Sequence, residues 1–378
     1  IINNILPQRL QYHVRQILFV EKRYLTQQRQ APMKKTFSAI LLLICALAAI
    51  IGYWIALKPN FSSDVESGDN FIYIKHDNTS IDSIRNMLIK RGVLKNTFTF
   101  SLMARIYRPK EHIKAGAYRI GSGVSNIRFL NNIYKGYQTP IKLNIPSVRL
   151  KSQLVTRICK QTNIDSLRLQ HLLGDDEFLA RYGFDSHNCL AMIIPNTYEV
   201  YWTITPEEWF DKMKKEYDRF WDIKGRKAKA SKIPLTPIEV SILSSIVDEE
   251  TNKKHEKPII AGLYINRLKI EMKLQADPTA RYALNDFTIN QVLHSYTRID
   301  SPYNTYIYAG LPPGPIRIPS IEAIDAVLNY KHHKYLYMCA KPEMNGEHNF
   351  ATTYDEHLKY AAEYYKALDS WKQRNNKQ

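Results

Sequence analysis

The stretch TPIEVSILSSIVDEET, Thr236 to Thr251, sets the reading of the chain's larger part. Thr236-Pro237-Ile238-Glu239 is a T-x-x-E capping box with proline at the first helical position, so a helix starts there. At about 100° per residue from Val240, Leu243, Ile246 and Val247 fall at about 300°, 240° and 340°, an apolar stripe centred at about 280°. Glu250 then falls at about 280°, Glu249 at about 180° and Asp248 at about 80°. One acid lies in line with the stripe, one on its border and one away from it. A carboxylate on a buried stripe loses hydration, which favours its protonated form and raises its pKa. A general acid working near neutral pH needs that property. Geometry alone leaves a second reading open, in which the helix frays after Val247 and all three acids are solvated.

The surrounding chain is long enough to give that helix a core to enter. Its 378 residues, 44% hydrophobic, suit one or two globular domains rather than a disordered tail. Cys45, Cys159, Cys189 and Cys339 stand far apart, without zinc-site spacing, and imply no disulfide. The net charge of +17 suggests a polyanion partner, but its placement argues against nucleic acid. Residues 1–35 hold seven basic residues against Glu21 alone, directly before an apolar run.

That run, SAILLLICALAAIIGYWIAL from Ser38 to Leu57, has no charge and the length of a transmembrane helix. Lysines before it and Asp64, Glu66 and Asp69 after it predict a cytoplasmic N-terminus, with the bulk of the chain outside the cytoplasm. A cleaved signal peptide fits less well, because bulky YWIALKPNF follows in place of small residues. Met33-Lys34-Lys35 reads as an ordinary membrane-protein start, so residues 1–32 carry no functional expectation.

A polar linker over residues 58–70 leads to a small mixed domain over 71–149. FIYIK reads as a strand, SIDSIRNMLIKRG as a helix with Ile81, Ile84 and Leu88 on one face and Gly92 at its end, and NIRFLNNIYKG as a helix between the strands GAYRI and IKLNIP. Gly121-Ser122-Gly123 fits a turn better than a phosphate loop. The remainder, 150–372, is predominantly helical. Near its end KYLYMCA and EHNFATT flank Asn345-Gly346, a hairpin signal, and Thr353 with Glu356 caps a last helix running toward Trp371.

Downstream of Glu250, IAGLYINRLK is a second helix leading into Leu274-Gln275-Ala276-Asp277-Pro278-Thr279, followed by SPYNTYIYAGLPPGPI and EHNF. Together with SSIVDEET, this ordered set resembles the endolytic murein transglycosylases, the YceG-like family, from about Phe71 onward. Several motifs in one order make the likeness specific. Ser147-Val148 after Ile145-Pro146, Asn196 in PNTY, and Ile318 and Ser320 depart from common family residues.

The resemblance implies an α+β protein with a single N-terminal transmembrane helix over 38–57 after a basic segment over 1–37, a small LysM-like α+β domain and a larger, mainly helical α+β catalytic domain in the periplasm. It implies endolytic cleavage of the MurNAc-β-1,4-GlcNAc bond within peptidoglycan glycan strands, leaving 1,6-anhydro ends and terminating elongation of nascent strands. Glu250, chosen first by geometry, is the catalytic glutamate by its place in the motif. A single carboxylate suffices, without metal or organic cofactor; peptidoglycan synthases are expected partners and nucleic acid is not.

Gln275 and Asp277, two residues apart, share a face if extended and could hold sugar groups, although Asp277 before Pro278 could instead cap the next helix. Asn304 and Tyr306 are further substrate-binding candidates, and Tyr303 and Tyr282 could stack on sugar rings. His348 reads as structural before catalytic, though it joins the candidate substrate-binding set. The adjacent His332 and His333 point to opposite faces of a strand, against joint metal binding. The alternative is a non-catalytic cell-wall-binding membrane protein, which a solvated Glu250 outside any groove would favour.

Overall fold

The structure, a computed structural model, describes residues 7–62, 70–107, 109–288 and 295–375. Residues 1–6 and the acids Asp64, Glu66 and Asp69 lie outside the described residues. The chain forms two compact units, Ile1–Thr139 and Pro140–Gln378.

The first unit begins with α1 (Gln8–Gly52), which runs into a π turn over Tyr53–Leu57. Within them Thr36–Leu57 is 22 residues long with mean hydropathy 2.7, apolar enough to cross a membrane, and none of its most apolar window is buried against protein. Then follow β1 (Phe71–Ile74), α2 (Ile81–Lys90), α3 (Thr97–Ile106), β2 (Gly116–Arg119) and α4 (Asn126–Lys135). β1 and β2 pair antiparallel, from Phe71 opposite Arg119 to Ile74 opposite Gly116. Ser80, Asn96 and Ser125 cap the three helices through their side-chain oxygens, and α4 stops at Gly136 in the left-handed region at φ 72°. The α3 sequence TFTFSLMARI gave no helical expectation because its threonines and phenylalanines favour strands. The Asn96 cap and burial of Phe100 and Met103 decide for helix.

The expected linker is partly core. Phe61 is fully buried, its ring 4.8 Å from that of Phe129. Buried Asn60 donates to Asn126 Oδ1 and to the Asn96 carbonyl, both at 2.8 Å. A side chain with several satisfied polar groups ties residues 59–62 to the small unit, a signal that a composition-based linker reading cannot contain.

In the second unit, β3 (Ile141–Ile145) precedes α5 (Lys151–Cys159), α6 (Ser166–Leu172) and α7 (Asp176–Ala180). It pairs antiparallel with β4 (Asn196–Val200), which is why IKLNIP joins this unit rather than the small one. Next come α8 (Pro206–Asp222), α9 (Arg226–Ala230), α10 (Pro237–Glu250), α11 (Lys257–Lys269), α12 (Asp277–Leu284) and α13 (Ile321–Leu328). The hairpin of β5 (Tyr337–Ala340) and β6 (His348–Ala351) packs under α14 (Tyr354–Asn375).

The capping box on α10 forms as read: Glu239 N–H donates to Thr236 Oγ1 at 3.2 Å, and Thr236 N–H to Glu239 Oε2 at 2.7 Å. Its surroundings differ from expectation. Every residue from Val240 to Asp248 is buried, so there is no solvent face. Ser241 and Ser244 donate to carbonyls one turn back, and Ser245 donates to Ile242 and accepts from Ile316 N–H at 3.0 Å, so the serine side is satisfied without water.

Gly262 marks the tightest backbone approach in α11: a Cβ there would lie 2.3 Å from the Lys331 carbonyl oxygen and 2.7 Å from His333 Nε2. An exposed helical glycine gains about 1 kcal/mol on replacement by alanine. Here the sign reverses: Gly262→Ala is expected to destabilise the chain by about 1–3 kcal/mol through overpacking. Denaturant titration with an unchanged m-value checks it.

Candidate active site

Three successive acids end α10 in three different environments. Asp248 is buried and accepts from Lys257 Nζ at 2.7 Å, Ser320 Oγ at 2.9 Å and Ser320 N–H at 3.0 Å. Burial alone would push it upward, but Lys257, the Ser320 N–H and Arg317 outweigh that and hold its carboxyl below the usual range. Asp248 therefore faces neither solvent nor substrate. The helical projection put it on an outward face, and that expectation is corrected, because α10 has no outward face at this level.

Glu249 is gripped by arginines. Arg149 donates from Nε at 2.7 Å and Nη2 at 2.8 Å, a bidentate pair, and Arg317 Nη1 donates at 2.8 Å.

Glu250 meets no cation at salt-bridge distance among the described residues. It is partly buried, and Tyr264 Oη donates to its Oε1 at 2.6 Å. Burial raises its carboxyl from 4.5 to about 7, against the Tyr264 hydrogen bond and the more distant Arg281 and Arg267, with Asp277 adding to the rise. Tyr264 is buried on α11, and burial and the Glu250 charge raise its own hydroxyl, keeping it a donor. The helix does not fray after Val247; its last residue is Glu250.

Gln275 and Asp277 are both exposed while Leu274 and Ala276 between and before them are buried, so the pair does share one face. Buried Arg267 shapes that segment, donating to the carbonyls of Leu274 at 2.6 Å and Leu336 at 2.6 Å. Gln275 stands in the left-handed region at φ 50°, with its N–H on the Thr305 carbonyl at 3.1 Å. Asp277 opens α12 without a capping bond and instead accepts from the Tyr306 hydroxyl. Burial, then this bond, raise the Tyr306 hydroxyl far above its usual value.

Asn304 sits otherwise than a substrate contact would. It is fully buried, its amide donating to the carbonyls of Ile299 at 2.8 Å and Thr297 at 3.2 Å and its Oδ1 accepting from Tyr306 N–H at 3.1 Å. It positions the loop that presents Tyr306. Tyr303 packs on Tyr282 with centroids 4.8 Å apart and reaches the His187 carbonyl at 3.4 Å. His348 bonds buried Glu256 through its N–H at 2.8 Å and Nδ1 at 3.0 Å; Thr251 Oγ1 donates to the same carboxylate at 3.2 Å. It thus braces the turn that follows Glu250. His333 is spent on the Ile259 carbonyl and Tyr335 N–H.

Neither Tyr264 nor the arginine pair on Glu249 is legible in the sequence: the tyrosine of IAGLYINRLK carries no polar signal on a helix whose residues are mostly buried.

A lone carboxylate with a raised pKa, bonded by a neutral donor and near Asp277 and Tyr306, has the features that a general acid–base site needs. The model of the YceG-like family matches residues 72–363, and the chain belongs to that family. An endolytic murein transglycosylase of Bacillus subtilis is 27% identical over 304 residues, 76% of this chain and 82% of its own length. One from Streptococcus pneumoniae R6 is 25% identical over 360 residues, 86% of this chain, which spans 64% of that relative. The crystal structure of a YceG-like protein from Listeria monocytogenes matches with TM-score 0.52 at 26% identity, over 77% of this chain and 98% of that one.

The two outer acids differ in what their neutralisation does to stability. Glu250 has a folded value above its unfolded one, so its contribution is present in acid and lost as pH rises through about 7. Glu250→Gln mimics the protonated form, so its melting temperature is expected to match wild type near about pH 4 and exceed it near about pH 8. Asp248→Asn leaves Lys257 with Glu322 alone, at 3.3 Å, and is expected to lose about 1–3 kcal/mol at neutral pH. Thermal melts of the three proteins across pH test both.

Proposed function

We propose that the chain is an endolytic peptidoglycan lytic transglycosylase that cleaves the MurNAc-β-1,4-GlcNAc bond within glycan strands, with Glu250 as its only catalytic carboxylate. The observation that carries this reading is the raised, Tyr264-bonded Glu250 at the family's motif position. Protonated Glu250 gives its proton to the glycosidic oxygen as the bond from C1 of the muramic unit breaks. The resulting carboxylate then takes the proton of that unit's C6 hydroxyl, whose oxygen closes on C1 to form the 1,6-anhydro ring. Acid and base are one group, so no second carboxylate is needed to activate water. Gln275, Asp277 and Tyr306 form the adjoining polar surface for sugar hydroxyls and acetamides, and Tyr303 with Tyr282 offers aromatic faces. A non-catalytic wall-binding role leaves the protonated setting of Glu250 without a use.

Thr36–Leu57 serves as a single span of the cytoplasmic membrane with the second unit in the periplasm, a reading supported by its apolar length and the basic residues before it. The β1-α2-α3-β2 order of the first unit supports a LysM-like wall-binding module. Strand-synthesising enzymes are the partners that cutting nascent glycan implies.

Digestion of purified peptidoglycan is expected to give 1,6-anhydro-muramic ends, one water lighter than hydrolytic ends by mass spectrometry. Glu250→Gln should lose about 10²–10⁴ in rate with the fold kept. Activity should fall as pH rises beyond about 7, where the acid is ionised. Reducing muramic ends alone would make the enzyme a hydrolase. For topology, a C-terminal reporter is expected to be active only outside the cytoplasm; activity only inside would overturn the orientation.

A further inference from the structure

Beside Glu249 lies a narrow cleft of about 10 Å³, walled by Arg149, Glu249, Pro278, Arg281, Tyr282 and Phe287. That is room for about one water, so the cleft admits at most the end of a single functional group at its mouth and no sugar ring. Its charges do not balance. Glu249 already receives Arg149 and Arg317, and Arg149 also faces the Phe287 ring at 5.3 Å. Arg281, half-buried on α12, takes no hydrogen bond or ion pair among the described residues. Asp277, one turn earlier on that helix, is the acid placed to meet it, but it accepts from the Tyr306 hydroxyl instead. A guanidinium in such a wall, offering a planar fork of donors, is matched by a carboxylate.

The sugar rings of a glycan strand are uncharged, and its carboxylates hang from the lactyl arm of muramic acid or from the peptide attached there. We propose that this cleft is a carboxylate-binding subsite in which Arg281 receives an anionic group of the peptide arm carried by the muramic unit. The inference rests on the transglycosylase reading for its ligand. Glu249 and Glu250 are consecutive at the end of α10, so an arm held at Arg281 fixes which sugar stands at the acid. Arg281 is also one of the charges drawing Glu250 downward, so an anion seated on it relieves that pull.

Binding separates this inference from the chemistry. The full-length chain carrying Glu250→Gln, in detergent, is titrated with soluble glycan fragments bearing their peptides and with the same fragments after carbodiimide amidation of the carboxylates. Peptide-bearing fragments are expected to bind roughly tenfold or more tighter, the worth of one charge-assisted hydrogen bond. Adding Arg281→Gln should bring them to the amidated value and leave amidated binding and the melting temperature unchanged; Arg281→Lys should restore part of the difference. Peptide-free strands, whose lactyl carboxylate is no longer held in an amide, are expected to bind no tighter than their amidated form; a preference confined to them would overturn the peptide assignment. Equal weakening of native and amidated fragments by Arg281→Gln, or none, overturns the subsite. A carboxylate preference that persists in a protein yielding no anhydro ends would sink the transglycosylase reading and leave the subsite standing.

Discussion

The ion pair between Asp248 and Lys257 is the constraint from which the site's geometry follows. Asp248 ends the fully buried part of α10, Lys257 opens α11 and Ser320 caps α13, so one carboxylate pins three helices at a point. Burying such a charge is costly, and breaking its pair costs more than the pair itself contributes. The ends of α10 and α11 therefore hold together under conditions that would let an apolar contact slide. With that register fixed, Tyr264, two turns along α11, stands opposite Glu250, two residues along α10.

Three adjacent side chains of nearly the same chemistry are thereby given different electrostatic surroundings. Cations and a backbone N–H hold Asp248 ionised, and two arginines neutralise the charge of Glu249, while Glu250 meets a phenol and a desolvating wall. Separating the pKa values of neighbouring carboxyls by environment is how a site assigns distinct roles to like groups. Here the division also insulates the acid, because the negative charges beside it are already compensated.

Much of this was legible in the sequence. The capping boxes at Thr236 and Thr353 are local signals, and they set their helices where the sequence puts them, while the Ser80 and Ser125 caps and the left-handed Gly136 bound helices that the apolar pattern located. The apolar phase of α10 singled out Glu250, although for a partly mistaken reason. The phase argument assumed an amphipathic helix, whereas the serine side is also buried, satisfied by bonds that are invisible in a hydropathy pattern. Asn304 shows the other limit: a polar residue in a motif reads as a contact, and only the fold reveals that its amide is spent on Thr297 and Ile299. What stayed hidden were pairings at long sequence range, such as Arg149 with Glu249 and Glu256 with His348, which no local spacing encodes.

In the proposed reaction one carboxylate serves two steps, and the identity of the group facing Glu250 suits it to that. A lysine or arginine at hydrogen-bond distance would stabilise the carboxylate and hold it ionised, as Lys257 does for Asp248. A purely apolar wall would keep it protonated and unable to act as a base. Tyr264 is a neutral donor that bonds the carboxylate without bringing a full charge, so burial and hydrogen bond oppose each other and leave the group at about 7. Near that value both states are accessible at neutral pH, which a residue that first gives a proton and then takes one requires. The same balance makes the site sensitive to any further charge, and Arg281 on α12 is one of the charges that act on it.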